Sequence, residues 1–340
     1  MSLATSDPQP ETWQRLYAGA ITDPRELLQM LELPQSLLPA AADAGRSFPL
    51  RVPRGFVELM EPGNPRDPLL LQVLPQAEER HPPGPGFVTD PVGDEAAMAA
   101  PGVLQKYAGR ALFIATGACA INCRYCFRRH FPYDQANAGV ASWEPAMAAL
   151  RQREDITELI LSGGDPLVLG NRRLRMLGDL LRTVPHVRRL RIHTRLPVVL
   201  PERVDEGLLD CLTGLAQRCV MVLHINHPRE IGHGLLRAAS RLRERGITLL
   251  NQAVLLRGVN DDADTLTSLC EGGFDGGILP YYLHALDPVA GGEHFLVPDR
   301  RARRIAEELR RRLPGYLVPT LVREVPGQPC KTPLTTGAHD

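Results

Sequence analysis

The sequence predicts an α/β fold: a partial (β/α)6 TIM-like barrel with an N-terminal loop and helix extension and a short C-terminal segment. Three observations predict it. Apolar, β-branched runs recur at 111–116, 158–162, 188–194, 220–225, 247–255 and 278–283, with helix-period stretches between them. Strands alternating with helices pair in parallel through right-handed crossovers. The 340 residues leave room for one large α/β unit plus extensions. Finally, the motifs that can carry chemistry fall on or just after these runs, and such folds gather ligands at the C-terminal ends of their strands.

The chain divides into an extension (1–100), the barrel (101–295) and a C-terminal helix and lysine segment (296–340). The first hundred residues are irregular and proline-rich, with short helical patterns at 11–18 and 23–31. Residues 54–74 read as loop around Met60-Glu61-Pro62-Gly63-Asn64-Pro65, and Pro82-Pro83-Gly84-Pro85-Gly86 as a turn or linker. Helices are expected at 142–153, with Ser142 a plausible N-cap, and at 171–184, 203–217, 230–245 and 261–271. A last helix spans 299–313. An extended segment, 316–324, then leads to Pro326-Gly327-Gln328-Pro329-Cys330-Lys331.

Hydrophobic content of 44% is ordinary for a globular protein, and a formal net charge of zero advertises neither nucleic acid nor an acidic membrane as partner. The first seven residues lack the basic-then-apolar pattern of a signal peptide, and no apolar run reaches transmembrane length. Seven cysteines, an odd number, point to the reducing cytoplasm and against a disulfide framework. Of 39 basic residues only Lys106 and Lys331 are lysine. Where charge alone matters arginine serves. A lysine kept against that bias suits a task arginine cannot do, such as forming a Schiff base.

Cys119, Cys123 and Cys126 are spaced C-x3-C-x2-C in a loop after the first run. Three thiolates can grip one compact metal centre. A structural zinc wants four ligands, which His130 would complete. A [4Fe–4S] cube on three thiolates keeps one iron open. Three unrelated core thiols are the plain alternative. The spacing resembles the signature of radical S-adenosylmethionine (SAM) enzymes, whose open iron binds the amino and carboxylate groups of SAM. Ser162-Gly163-Gly164-Asp165-Pro166 ends the second run with two glycines, which let backbone approach a ligand. Alone it is a commonplace turn; behind such a loop it resembles the motif that holds the methionine amino group. Arg128 and Arg129 are either solvated charges or a carboxylate fork. Arg110 is a phosphate ligand or a strand-end charge. His224 and His227 have metal-ligand spacing but no third partner. Cys211, Cys219, Cys270 and Cys330 read as inert thiols.

Together, residues 119–130, 161–166, 191–201, 224–230, 251–261, 280–287 and 326–333 resemble the lysine 2,3-aminomutases, a likeness running from about 50 to 335. Those enzymes are isomerases that pair a [4Fe–4S] cluster and SAM with pyridoxal 5′-phosphate (PLP). The resemblance implies that Cys119, Cys123 and Cys126 ligate the cluster and that Lys331 bonds covalently to PLP. It implies a phosphate contact at Arg110 with Tyr107 nearby, and SAM contacts at Gly163, Gly164, Asp165, His224 and Gln252. Arg128 would grip the substrate carboxylate, and Asp287 and Glu324 the distal ammonium. Catabolic members carry aspartate at the position of Glu324 and continue into a cysteine-bearing segment beyond the point where this chain stops. Both departures resemble the short bacterial branch of the elongation factor P β-lysylation pathway. That branch makes (R)-β-lysine from L-lysine, needs a flavodoxin-like electron donor, and supplies a separate ligase acting on elongation factor P. Alternatives are a catabolic-type lysine or glutamate aminomutase, a radical SAM enzyme of RNA modification, or a zinc-stabilised scaffold.

Overall fold

The computed structural model describes residues 12–133 and 140–334. The leader reading of residues 1–7, and residue 11 of the first expected helix, lie outside them. Among the described residues ten strands form one sheet in chain order. They are β1 (Met98–Ala100), β2 (Val103–Tyr107), β3 (Arg110–Thr116), β4 (Glu158–Gly163), β5 (Arg189–Thr194), β6 (Arg218–Leu223), β7 (Thr248–Leu255), β8 (Leu279–Ala285), β9 (Thr320–Arg323) and β10 (Thr332–Pro333). From β3 to β9 every pairing is parallel, while β1, β2 and β10 add antiparallel edges. Helices Trp143–Arg151, Asn171–Arg182, Glu206–Thr213, His233–Glu244, Ala263–Asp275 and Asp299–Arg312 fill the six crossovers from β3 to β9. This is the expected partial (β/α)6 barrel, with β9 as a seventh parallel strand where the sequence showed only an extended segment.

Local chemistry accounts for the elements. β3 buries Ala111, Phe113, Ile114 and Ala115, and Phe113 meets Trp143 edge-on at 6.4 Å, fixing the first barrel helix to the sheet. Ser142 precedes that helix without a side-chain capping bond, whereas Asp205 and Asp262 cap theirs at Leu208 and Thr265. Among the described residues no helix is long and apolar enough to cross a membrane.

The sheet stays open between β1 and β10, yet its edges approach. Tyr107, ending β2, donates a hydrogen bond to Glu324, just past β9. Residues of the extension lie over the same gap. Val88 bridges to Val289, and a Cβ on Gly93 would stand 3.3 Å from Pro326. Trp13, Phe56 and Leu70 of the extension share one apolar core with the barrel.

Candidate active site

The cysteine loop leaves the C-terminal end of β3 and is held from two sides. From the extension, Asn122 N–H donates to Arg51 O at 3.0 Å and Arg124 N–H to Gln72 O at 2.9 Å. The Arg124 side chain is fully buried. It forks onto the Glu79 carboxylate, which also takes Arg129 at 2.6 Å, and donates to Phe48 O at 2.7 Å. From the barrel, Arg195 donates to Cys123 Sγ at 2.9 Å, Tyr125 Oη at 2.8 Å and Gln72 Oε1 at 2.6 Å, and pairs with Glu230 at 3.1 Å. Burial, then Asp165 and the two neighbouring thiols, push Cys119 well above the usual thiol range; burial and Cys123 push Cys126 up to about 11. Undressed, these are thiols, and a metal centre would displace their protons. Among the described residues no three His, Cys, Asp or Glu side chains are gathered to hold a metal ion.

The paired glycines are tight against this loop. Gly163 has φ +110°, and a Cβ there would meet Ile114 Cγ2 at 2.7 Å. A Cβ on Gly164 would stand 2.3 Å from Ala118 O and 2.7 Å from Gly117 C. Gly164 N–H donates to Thr116 O and Asp165 N–H to Ala118 O, at 2.7 and 2.8 Å. The two N–H groups therefore serve the cysteine loop itself. The buried Asp165 carboxylate accepts from Leu167 N–H, Thr194 Oγ1, Arg195 N–H and Leu196 N–H, tying the end of β4 to the end of β5.

Lys331 sits at the opposite edge of the sheet. Its Nζ donates to Glu324 Oε2 at 2.8 Å and lies 5.8 Å from the Tyr282 ring centre. Tyr107 Oη donates to Glu324 Oε1 at 2.5 Å, and the Arg110 guanidinium stacks on Tyr107 at 4.7 Å. Burial pushes Glu324 up, but Lys331, Tyr107 and Lys106 outweigh it and hold the carboxyl below its usual range. Asp287 has the reverse balance: burial dominates and raises it to about 7 despite Lys331, and Oδ1 has no partner.

Among the described residues, several buried side-chain polar atoms have no hydrogen-bond partner. They include His193 Nε2 on β5, Gln252 Oε1 on β7 and His284 Nε2 on β8. His224 Nε2 lies 3.4 Å from His193 Nδ1. Burial and nearby cations hold His224 near 4 and put His193 and His284 well below the usual histidine range, so all three are neutral. Arg128 donates to Asp94 Oδ2 at 2.7 Å and to Ser162 Oγ at 2.9 Å.

The residues singled out from the sequence thus converge, though not all at strand ends. Arg110 is the first residue of β3, and Tyr282 lies mid-way along β8. The open side of the sheet lets β2 and the β9–β10 turn reach groups low in the barrel. His227 stands apart, its Nδ1 accepting from Arg229 N–H at 3.2 Å in a small capping turn. Cys211, Cys219 and Cys270 are buried, and Cys330 is exposed. Glu79, Asp94 and Gln72 had no sequence signal, while Arg195 and Glu230 fall within the resembling stretches 191–201 and 224–230 without a role being assigned to them there. Their partners across the site lie as far as 158 positions away, where no local spacing is visible, although Glu79 and Glu230 also close local capping turns with Gln76 and His227.

A partial β/α barrel with a three-cysteine loop after its first strand defines a radical SAM enzyme. No family model matches the chain. It is 47% identical to the L-lysine 2,3-aminomutase of Escherichia coli (strain K12), across 96% of this chain and 95% of that protein. It is 46% identical to that of Haemophilus influenzae, across 95% and 96%. Against the Clostridium subterminale enzyme the identity is 32%, over 97% of this chain and 79% of the relative. The chain belongs to the lysine 2,3-aminomutase family and is an isomerase; the family implies a [4Fe–4S] cluster and SAM.

Proposed function

We propose that this protein is a PLP-dependent radical SAM aminomutase that converts L-α-lysine to (R)-β-lysine, for β-lysylation of elongation factor P. The observation that carries the reading is Lys331 hydrogen-bonded to Glu324, both acting on a buried Asp287 whose Oδ1 has no partner among the described residues, in a barrel that also bears the three-cysteine loop.

The donor sets fit the groups required. Three thiols on one loop, with Arg195 on Cys123 and Arg128 and Arg129 close by, suit an anionic cluster. A cube is gripped at separate corners, so its thiolates need not crowd as the ligands of a single ion do. Lys331 lies 5.8 Å from the Tyr282 ring centre, and Arg110 and Tyr107 offer a cation and a hydroxyl for a phosphate. When bound, the cluster and SAM supply a carbon radical able to remove an unactivated hydrogen, and PLP supplies a π-system through which nitrogen can migrate.

The protein's part is positioning. Arg128, fixed by Asp94 and Ser162, presents its guanidinium to the substrate carboxylate. Asp287 and Glu324 face the distal ammonium; a distal carboxylate, as in glutamate, would meet two acids. His224 and Gln252 line the SAM side, while Gly163, Gly164 and Asp165 set the height of the cysteine loop beneath it. Lys331 holds PLP at the far edge. Free thiols suit a cytoplasmic location, and reduction falls to an external, flavodoxin-like donor.

The test is anaerobic incubation with SAM, PLP, reductant and either free L-lysine or lysylated elongation factor P, with iron, sulfide and zinc assayed alongside. Free lysine is expected to give β-lysine from a brown, iron-loaded protein. Zinc without sulfide, or no β-lysine from either substrate, overturns the proposal.

A further inference from the structure

The chain keeps two lysines among 39 basic residues, and both meet at one carboxylate. Lys331 Nζ stands 2.8 Å from Glu324 Oε2 and Lys106 Nζ 3.9 Å from Glu324 Oε1. Lys106 lies on β2 and is only partly exposed. It pairs with Asp94 Oδ1 at 2.6 Å and donates to Val92 O at 2.8 Å. Asp94 is buried, and its other oxygen holds Arg128 at 2.7 Å. A continuous line of charges therefore runs Arg128, Asp94, Lys106, Glu324, Lys331, with Ser162 accepting a hydrogen bond from Arg128 at its start.

We infer that Lys106 is a positioning residue that couples the two ends of the substrate site, fixing Arg128 through Asp94 at one end and balancing Glu324 at the other. The inference rests on the proposed function and deepens it. Once Lys331 is bonded to a carbonyl cofactor it no longer offers Glu324 a free ammonium. Lys106 is then the remaining fixed cation beside that carboxylate, and it keeps the acid in place to meet the substrate's ammonium. Its single positive charge serves two carboxylates and a carbonyl at once. The field agrees: Lys331, Glu324, Lys106 and Asp94 all act on Asp287, with Lys106 favouring its ionised form.

The readout is binding without turnover. PLP-loaded protein is titrated with L-lysine in the absence of SAM, and the change in cofactor absorbance is followed across pH. Lys106→Met should weaken the response roughly tenfold or more and move its acid limb to higher pH, as Asp287 loses a stabilising cation. Lys106→Arg should recover most of both. Because Lys106 acts on Arg128 through Asp94, Lys106→Met with Asp94→Asn should be less than additive. Lysine affinity within about twofold of wild type in Lys106→Met overturns the inference, as does an arginine variant no better than the methionine one. Wild-type protein that takes up PLP but shows no response to lysine fails the proposed function itself, and the inference falls with it.

Discussion

At the residue scale, the two acids proposed to hold the lysine ammonium carry opposite electrostatic balances. Glu324 is held ionised by Lys331, Tyr107 and Lys106, whereas burial raises Asp287 to about 7. A carboxyl whose folded value exceeds its unfolded one stabilises the fold below about pH 4, and that contribution is lost as pH rises through about 7. Ligand recognition runs the other way, because only ionised Asp287 can neutralise an ammonium. Lysine affinity should therefore rise toward pH 7 and level off above it, and Asp287→Asn should both weaken binding and flatten this dependence. Titration of the PLP-loaded protein from pH 6 to 8 checks it; an unchanged profile in the variant removes Asp287 from the site. Lys331→Arg preserves the charge on Glu324 but cannot bond a carbonyl. It should abolish borohydride-trapped PLP while leaving iron content intact, and trapping that persists would assign the bond to another amine.

At the level of elements, the double glycine shows what a sequence can and cannot say. Gly163-Gly164 alone reads as a commonplace turn, and only behind the three-cysteine loop does it mark a place of close backbone approach. What approaches was not legible. In the fold it is Gly117-Ala118 of the chain's own cysteine loop, brought to the end of β4 by parallel pairing with β3. Gly164→Ala would put a methyl against immobile backbone, so loop or strand must move, an overpacking cost of about 1–3 kcal/mol. The expected outcome is lower iron and sulfide per chain together with a depressed melting temperature. Full cluster content in a normally stable variant would show that the loop has slack. The six strands and their helices were readable for a different reason. Alternating burial on the strands and apolar stripes on the helices repeat locally, and β9 escaped because its four residues are too short to show a period.

On the scale of the whole molecule, the extension reads as irregular in sequence because its purpose is long-range. Locally Glu79 only closes a capping turn with Gln76, yet across the chain it holds Arg124 and Arg129 from either side of Cys126. Glu79 and Arg124 are both without solvent contact at their side chains. Charges in such a place depend on their partners, and removing one leaves the other buried and uncompensated, at a cost of roughly 3–5 kcal/mol. Glu79→Gln keeps the shape and most of the hydrogen-bonding capacity but removes the charge that two arginines share. Since those arginines lie within the cysteine loop and just after it, the loss should reach the metal centre before it reaches the barrel. Chemical denaturation should show a clear drop in stability, and iron should leave the variant faster under chelator. Circular dichroism should meanwhile report an intact α/β fold at low denaturant. A variant as stable as wild type, and as slow to lose iron, would mean that the backbone contacts and Arg195 hold the loop without help from Glu79.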